Sequence, residues 1–181
     1  RQSQIDSFPQ LFPGCTTIKI LTIDGSQASP AITRLDSLYP VTTITQDLII
    51  KATGVSDFSG LSSITDVGSY ILLDSNYNLT STNWHTLTHT GGLVFSRSPL
   101  MTNMDGMFSH LSNTNLWSTI FNNLGLTDFE EFNHVTSVIN FSVSDCPVTS
   151  LNGFQNLTAA DYGMQINSNP FLTDISQLSN I

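Results

Sequence analysis

The chain has 181 residues, of which 39% are hydrophobic and only 10% are charged, against about 25% charged residues in an average soluble domain. Fourteen acidic residues against five scattered basic ones give a net charge of −9, which argues against binding to nucleic acid or to an anionic membrane surface. Insertion into a membrane is not expected either, because no apolar run approaches the ~20 residues of a span.

Surface polarity must come from Ser, Thr and Asn, which crowd the sequence. A surface of this kind favours a secreted or cell-surface protein.

Residues 1–17 are predicted to be an N-terminal capping segment. Two prolines within Phe8 to Gly14 indicate an irregular chain that covers the open end of the structure that follows. The remaining residues, 18–181, are predicted to form one repeat domain. Cys15 and Cys146 are expected to lie several repeats apart, too far for a disulfide, and Cys146 is expected to be a small core residue.

From residue 18 onward the chain shows an internal repeat of short strands. Apolar strand residues recur at intervals of 27, 23, 22, 26, 22 and 23 residues, at Ile23, Ile50, Leu73, Phe95, Phe121, Val143 and Ile166. Alternate side chains of a strand point the same way, so these seven positions, called the strand anchors, are predicted to face one core. Repeats of this length indicate a solenoid, here of about seven coils.

Further apolar columns follow each anchor. The first is predicted at Ile32, Val55, Leu79, Leu100, Leu126, Val148 and Leu172. The next is predicted at Leu35, Phe58, Met104, Phe129, Leu151 and Ile175, with an irregular third coil near Trp84. The last is predicted at Leu38, Leu61, Leu87, Phe108, Phe132, Phe154 and Leu178. Apolar residues every three positions favour irregular or 3-10 return segments, and stacked coils would bury a continuous core.

Each strand is followed by a turn position where Asn76 and Asn169 stand in two of the coils. Thr53, Ser98, Leu124 and Cys146 take the same position elsewhere. An inward-facing Asn can hydrogen-bond the backbone of neighbouring turns, so this column is predicted to satisfy polar groups inside the stack.

The last coils resemble known repeats. The residues Met164-x-Ile166-x-x-Asn169, followed by Leu172, Ile175 and Leu178, resemble the leucine-rich repeat consensus. The run from Leu151 to Leu157 and the following Thr is similar to receptor-L-domain-like repeats of bacterial surface proteins. The resemblance covers residues 18–181 and implies a right-handed β-rich solenoid with one parallel sheet that binds or presents other macromolecules.

The outer face of the predicted sheet is the candidate binding surface. One outward residue lies between the two inward residues of each strand, and four of these are large and apolar: Ile49, Leu72, Val94 and Ile120. A flanking polar column includes Lys51, Asp74 and Asn122. An exposed apolar stripe with a polar rim is typical of an interaction site. The alternative is that the stripe only packs neighbouring strands side by side.

A histidine column is the candidate metal site. His89, His110 and His134 each follow the last apolar column by two residues, so they are predicted to stack on successive coils, within reach of one metal. Asn156 and Asn180 hold the same position further along, which favours a hydrogen-bonding turn residue instead. No metal or other cofactor is therefore expected.

A hydroxyl column is predicted along one edge, at Thr33, Ser56, Thr80, Thr127, Thr149 and Thr173, with a break at Met101. A ladder of hydroxyls is what an ice- or crystal-binding surface requires, whereas the alternative is turn capping by Thr. Catalytic signatures are absent: the sequence contains no phosphate-binding loop, no nucleophile elbow and no His-Glu-x-x-His motif.

These features predict a non-catalytic recognition or adhesion module of a secreted or cell-surface protein. It is expected to bind a protein or a glycan through the sheet face. A passive spacer and an ice- or surface-binding solenoid are the alternatives. No polar cap follows the last coil, so the natural protein is expected to continue beyond Ile181; the alternative is that a partner or a disordered tail closes the last coil.

Overall fold

The computed structural model describes residues 1–107, 109–111 and 115–181. The described chain forms a β-solenoid in which parallel strands build one sheet. Two short helices come first, α1 (Gln2–Asp6) and α2 (Phe8–Leu11). The strands are β1 (Thr17–Ile18), β2 (Leu21–Asp24), β3 (Thr43–Ile44), β4 (Leu48–Lys51), β5 (Asp66–Asp74), β6 (His89–Ser98), β7 (Asn115–Leu124), β8 (Ser137–Ser144) and β9 (Ala159–Asn167).

The predicted strand anchors lie in one row of the sheet, as the repeat required. Ile23 is paired with Ile50, Ile50 with Leu73, and so on through Phe95, Phe121 and Val143 to Ile166. Every anchor from Ile23 to Val143 is buried. The prediction of a parallel β-solenoid is confirmed, with about six complete turns between the seven anchors.

The inward–outward alternation of β5 to β9 is interrupted in the middle of each strand, at a place that we call the bend, and the sequence pattern did not reveal this. In β7 the buried residues Leu116 and Thr119 enclose two residues that face outward, Trp117 and Ser118. The bend in β6 holds Gly91 and Gly92, where an added Cβ would lie 2.5 Å from the Ser69 carbonyl oxygen and 2.8 Å from that of Ser118, respectively. Glycine is required there because neighbouring strands approach too closely for a side chain.

A turn with left-handed backbone ends most of the strands. The residue two positions after the anchor has φ between 50° and 57° in five coils, at Ala52, Ser75, Arg97, Asp145 and Ser168. The next residue points inward and forms the predicted turn column. Asn76 there accepts from the Thr53 amide at 3.0 Å and donates to the Ile50 carbonyl at 2.9 Å. Asn169 makes the equivalent bonds to Cys146 and Val143, so both asparagines connect successive coils as predicted.

The return segments contain short 3-10 turns, in agreement with the sequence prediction. Those of the described residues are Asp36–Leu38, Ser59–Leu61, Glu130–Phe132 and Ser176–Leu178.

The prediction for one member of the first apolar column was wrong. Leu100 is 53% exposed, and Met101 is buried in its place. The Met101 amide donates to Ser98 O as the Leu79 amide donates to Asn76 O.

The assignment of Leu87 to the last apolar column was also wrong. The amide that follows Leu87, that of Thr88, donates to Thr65 O, just as the Thr65 amide donates to Thr42 O. Leu87 therefore lies in register with Ile64, one column further along the coil than predicted. Trp84, three residues earlier, is fully buried, and its indole N–H donates to Ile64 O at 3.0 Å. Phe108, the next predicted member, lies outside the described residues.

The two ends of the stack differ in burial. The predicted irregular N-terminal segment instead contains α1 and α2, which pack against the first 3-10 turn, and Ile5 of α1 is buried. At the other end Met164, Ile166 and Leu172 are only partly buried, and Phe171 and Ile175 are exposed.

Cys15 and Cys146 form no disulfide, as predicted, and Cys146 is buried. No helix among the described residues is long and apolar enough to cross a membrane.

Candidate functional site

The four apolar residues predicted on the sheet face lie side by side, and we call them the sheet-face strip. Ile49 is paired with Leu72, Leu72 with Val94, and Val94 with Ile120. Each alternates with buried neighbours along its strand and is itself partly exposed. The column continues with polar residues at both ends, Thr22 before Ile49 and Ser142 after Ile120. The strip is therefore a continuous apolar surface across β4 to β7.

The predicted polar rim lies next to the strip and is held by its own contacts. Asp24 and Lys51 are paired in the sheet and joined by an ion pair of 3.0 Å. Hydrogen bonds from Ser26 and then Lys51 lower the pKa of Asp24 to about 2. Further along, Asn122 donates to Ser144 Oγ at 2.7 Å.

Asp74 is the best-connected group of the rim. It accepts from the Arg97 guanidinium and, at 2.7 Å, from Ser96 Oγ. Partial burial raises the pKa of Asp74, but the bonds from Arg97 and Ser96 outweigh it, and the pKa lies below its ordinary value. Arg97 also donates to Ser75 Oγ. The rim therefore presents fixed charges beside the apolar strip.

A third outward column, which sequence reasoning missed, borders the strip on its other side. It consists of Tyr70, Gly92, Ser118, Asn140 and Gly163, which are paired in register across β5 to β9. Four of its five members are small or polar. The bends next to it carry two large exposed aromatic residues, Trp117 and Tyr162, which are 58% and 84% exposed.

The predicted histidine column is wrong in its first member. His89 lies in β6, in register with Asp66 of β5, because Leu87 belongs to a different apolar column from Phe132. His134 lies two residues after buried Phe132, and the residues two positions after Phe154 and Leu178 are Asn156 and Asn180. Those two asparagines donate to carbonyl oxygens of the preceding coil, at 2.5 and 2.7 Å.

The capping interpretation is therefore supported at Asn156 and Asn180. His110 is exposed. Within the described parts of the chain, no three His, Cys, Asp or Glu side chains form a group that could hold a metal.

His134 should make the stability of the protein depend on pH. Burial lowers the pKa of His134 below its ordinary value, although the Glu131 carbonyl and carboxylate oppose the shift, and its Nε2 is buried without a partner among the described atoms. As the pH falls through ~6.5, the unfolded chain takes up a proton before the folded one does, so the free energy of unfolding decreases.

Urea unfolding at pH 7.5 and pH 5.5 measures this effect. We expect His134→Asn, which introduces the residue type that caps the following coils, to reduce the loss of stability on acidification. Equal losses in the variant and the original protein would contradict the assignment to His134.

The hydroxyl column has no break at the fourth coil. Thr102, rather than Met101, continues it, because the Thr102 amide donates to Thr80 O as the Thr80 amide donates to Ser56 O. The Thr80 and Thr173 hydroxyls donate to the carbonyl oxygens of Ser56 and Thr149 in the preceding coils, at 3.2 and 3.5 Å. These bonds are the turn capping considered above as the alternative to an ice-binding ladder.

A second column of threonines precedes the strands and was not recognised from the sequence. Its described members are Thr16, Thr42, Thr65, Thr88, Thr136 and Thr158. The hydroxyls of Thr42, Thr65, Thr88 and Thr158 donate to the carbonyl of the preceding member. Repetition of one residue type before each strand was the signal that could have found it.

The chain was compared with known protein families, with curated proteins and with solved structures, and none of them matches it.

Proposed function

We propose that this chain is a non-catalytic recognition module that binds a protein partner through the sheet-face strip. The observation that carries the proposal is the alignment of Ile49, Leu72, Val94 and Ile120 on the outer surface of the sheet, where all four keep part of their area exposed. Large apolar side chains in one exposed stripe are typical of interaction sites. Flanking polar groups match the rim that surrounds the dry centre of such an interface.

The pairing of the basic side chains favours a protein over a nucleic acid as the partner. In the described chain, Arg34, Lys51 and Arg97 are each ion-paired with an aspartate. Three of the five basic side chains are thus neutralised by neighbours, which leaves little positive charge for phosphates. A secreted or cell-surface location is part of the proposal, because the low charge content and the Ser-, Thr- and Asn-rich surface suit it.

Leu72→Asp tests the proposal because it places a charge in the middle of the strip. Leu72 is partly exposed, so the aspartate can remain hydrated in the free protein but would be buried without a partner in the complex. We expect binding to weaken at least tenfold, which corresponds to about 1.4 kcal/mol or more.

The original protein and its variants are immobilised, and the proteins that each retains from an extracellular fraction of the source organism are compared. The retained protein is then titrated against each of them to measure its affinity. Thr80→Asp is the matched control, because Thr80 is exposed in the hydroxyl column, outside the strip. Equal retention by Leu72→Asp and Thr80→Asp would contradict the proposed site and favour the passive spacer.

A further inference from the structure

The outer bends of β7, β8 and β9 present three large side chains in a row, which we call the bend ridge: Trp117, Ile139 and Tyr162. Leu116 is paired with Val138, and Ser118 with Asn140, so Trp117 and Ile139, which lie between them, are neighbours on adjacent strands. Leu116 and Val138 are buried, and the residues that follow them therefore face outward. Trp117 and Tyr162 are 58% and 84% exposed.

An extra residue in β9 places Tyr162 on the ridge. Val138 is paired with Ala160 and Asn140 with Gly163, so Asp161 and Tyr162 lie opposite the single residue Ile139. Bulges of this kind redirect a side chain from the regular position in a strand. Gly163 follows with φ of +145°, a conformation that L side chains rarely adopt.

The strands that carry the ridge have many polar side chains and a single charge, next to Tyr162. β7, β8 and β9 together carry one charged side chain, that of Asp161. Asn140, which directly follows Ile139, is exposed, and its side-chain amide makes no hydrogen bond within the described chain. An aromatic ring beside an unbonded amide can bind a molecule that has both apolar faces and hydroxyl edges. A net charge of −9 disfavours an anionic ligand.

The distance between the two aromatic residues fits a linear carbohydrate. Trp117 and Tyr162 are two strands apart, which corresponds to about 10 Å at the usual strand spacing. This is close to the length of one disaccharide in an extended β-linked chain. A chain of sugars along the solenoid axis would therefore meet both rings at the same repeat.

We propose that the bend ridge binds a neutral β-linked polysaccharide. Sugar rings stack with their C–H faces on Trp117 and Tyr162, since the face of an aromatic ring is the negative side of its quadrupole. The side-chain amide of Asn140 donates to and accepts from the sugar hydroxyls. The ridge is separate from the sheet-face strip, and this inference does not depend on the protein partner proposed above.

Tryptophan fluorescence gives a direct readout of binding to the ridge. The chain has two tryptophans; Trp84 is fully buried with its N–H bonded to Ile64 O, so only Trp117 can meet a ligand. Titration with soluble neutral glycans (β-1,4- and β-1,3-glucan, chitin and mannan oligosaccharides) should produce a saturable change in emission with at least one of them. We expect Trp117→Phe to abolish this change while calorimetry still detects binding, because a phenyl ring stacks as well.

The variants separate the ridge from the rest of the surface. By calorimetry, Trp117→Ala and Tyr162→Ala should each weaken binding at least tenfold. The control Tyr77→Ala should bind like the original protein, because Tyr77 is an equally exposed aromatic residue, 58%, in the turn after β5. Leu72→Asp should also bind normally, and this result distinguishes failure of the strip proposal from failure of this one.

Three outcomes would overturn the inference: no glycan in the panel binds the original protein, anionic alginate binds as tightly as the neutral glycans, or both alanine variants of the ridge keep full affinity.

Discussion

Phe121→Ala is expected to lower the free energy of unfolding by about 3–5 kcal/mol, the range found for removal of a buried aromatic side chain. Phe121 is the anchor of β7 and has no exposed area. Its ring lies 5.8 Å from that of Phe95, 5.2 Å from that of Phe129 and 5.4 Å from that of Phe132, measured between centroids. Removing it therefore leaves a cavity between rings of two successive coils, that of Phe95 and that of Phe121, Phe129 and Phe132.

The position of Phe121 in the stack makes this cavity hard to close. The coil lies in the interior of the solenoid, where its strand is paired on both sides, with β6 and β8. Collapse around the cavity would have to shift both neighbours, so little of the cost can be relieved.

Equilibrium unfolding in urea measures the change, and Phe171→Ala is the matched control. Phe171 is 60% exposed in the last coil, and its replacement should change the stability by no more than about 0.5 kcal/mol. If Phe121→Ala lowers the free energy of unfolding by less than about 1 kcal/mol, the core of the fifth coil is not packed as the structure describes.

The strand anchors could be predicted from sequence because each lies between polar or outward residues in a strand, and strands have a fixed period of two. The return segments have no such period. Buried Val55 comes five positions after the anchor Ile50, but buried Leu79 comes six positions after the anchor Leu73. At the fourth coil Leu100 and Met101 satisfy the two spacings equally well, and only the backbone hydrogen bonds decide between them.

The error at Leu87 has a related cause. Successive apolar columns of the return segment are three residues apart, so a shift by one whole column preserves the apolar pattern. In the structure Trp84 occupies the earlier column, the one to which the sequence analysis assigned Leu87. The sequence did not indicate that this large residue fills a core position. The misplaced column then put His89 in line with His134, although His89 is a strand residue paired with Asp66.

The candidate site was predictable only in part, for the same physical reason. The sheet-face strip follows from strand alternation, and the structure brings its four residues together. The bend ridge does not follow from alternation, because two outward residues stand between inward ones at the bend and an extra residue enters β9. Trp117 and Tyr162 therefore have no common spacing in the sequence, and only the strand register makes them members of one row.

Asn76→Ala is expected to lower the free energy of unfolding by about 3 kcal/mol, because it leaves buried polar groups without partners. Asn76 has no exposed area. Its Oδ1 accepts from the amide and the hydroxyl of Thr53, at 3.0 and 2.7 Å, and its Nδ2 donates to Ile50 O at 2.9 Å. Its own amide donates to Ser98 Oγ of the next coil, so one residue joins three coils.

Two asparagines provide the comparison that tests burial as the cause. Asn78 is exposed two residues away, and Asn78→Ala should leave the urea midpoint almost unchanged. Asn169 makes two of the same bonds, to the Cys146 amide and the Val143 carbonyl, both at 3.0 Å, but it is only partly buried. Water can reach the groups that Asn169→Ala leaves unpaired, so its cost should be about half that of Asn76→Ala. Equal losses for Asn76→Ala and Asn169→Ala would mean that the hydrogen bonds themselves, rather than their exclusion from water, determine how strongly the turn column holds the coils together.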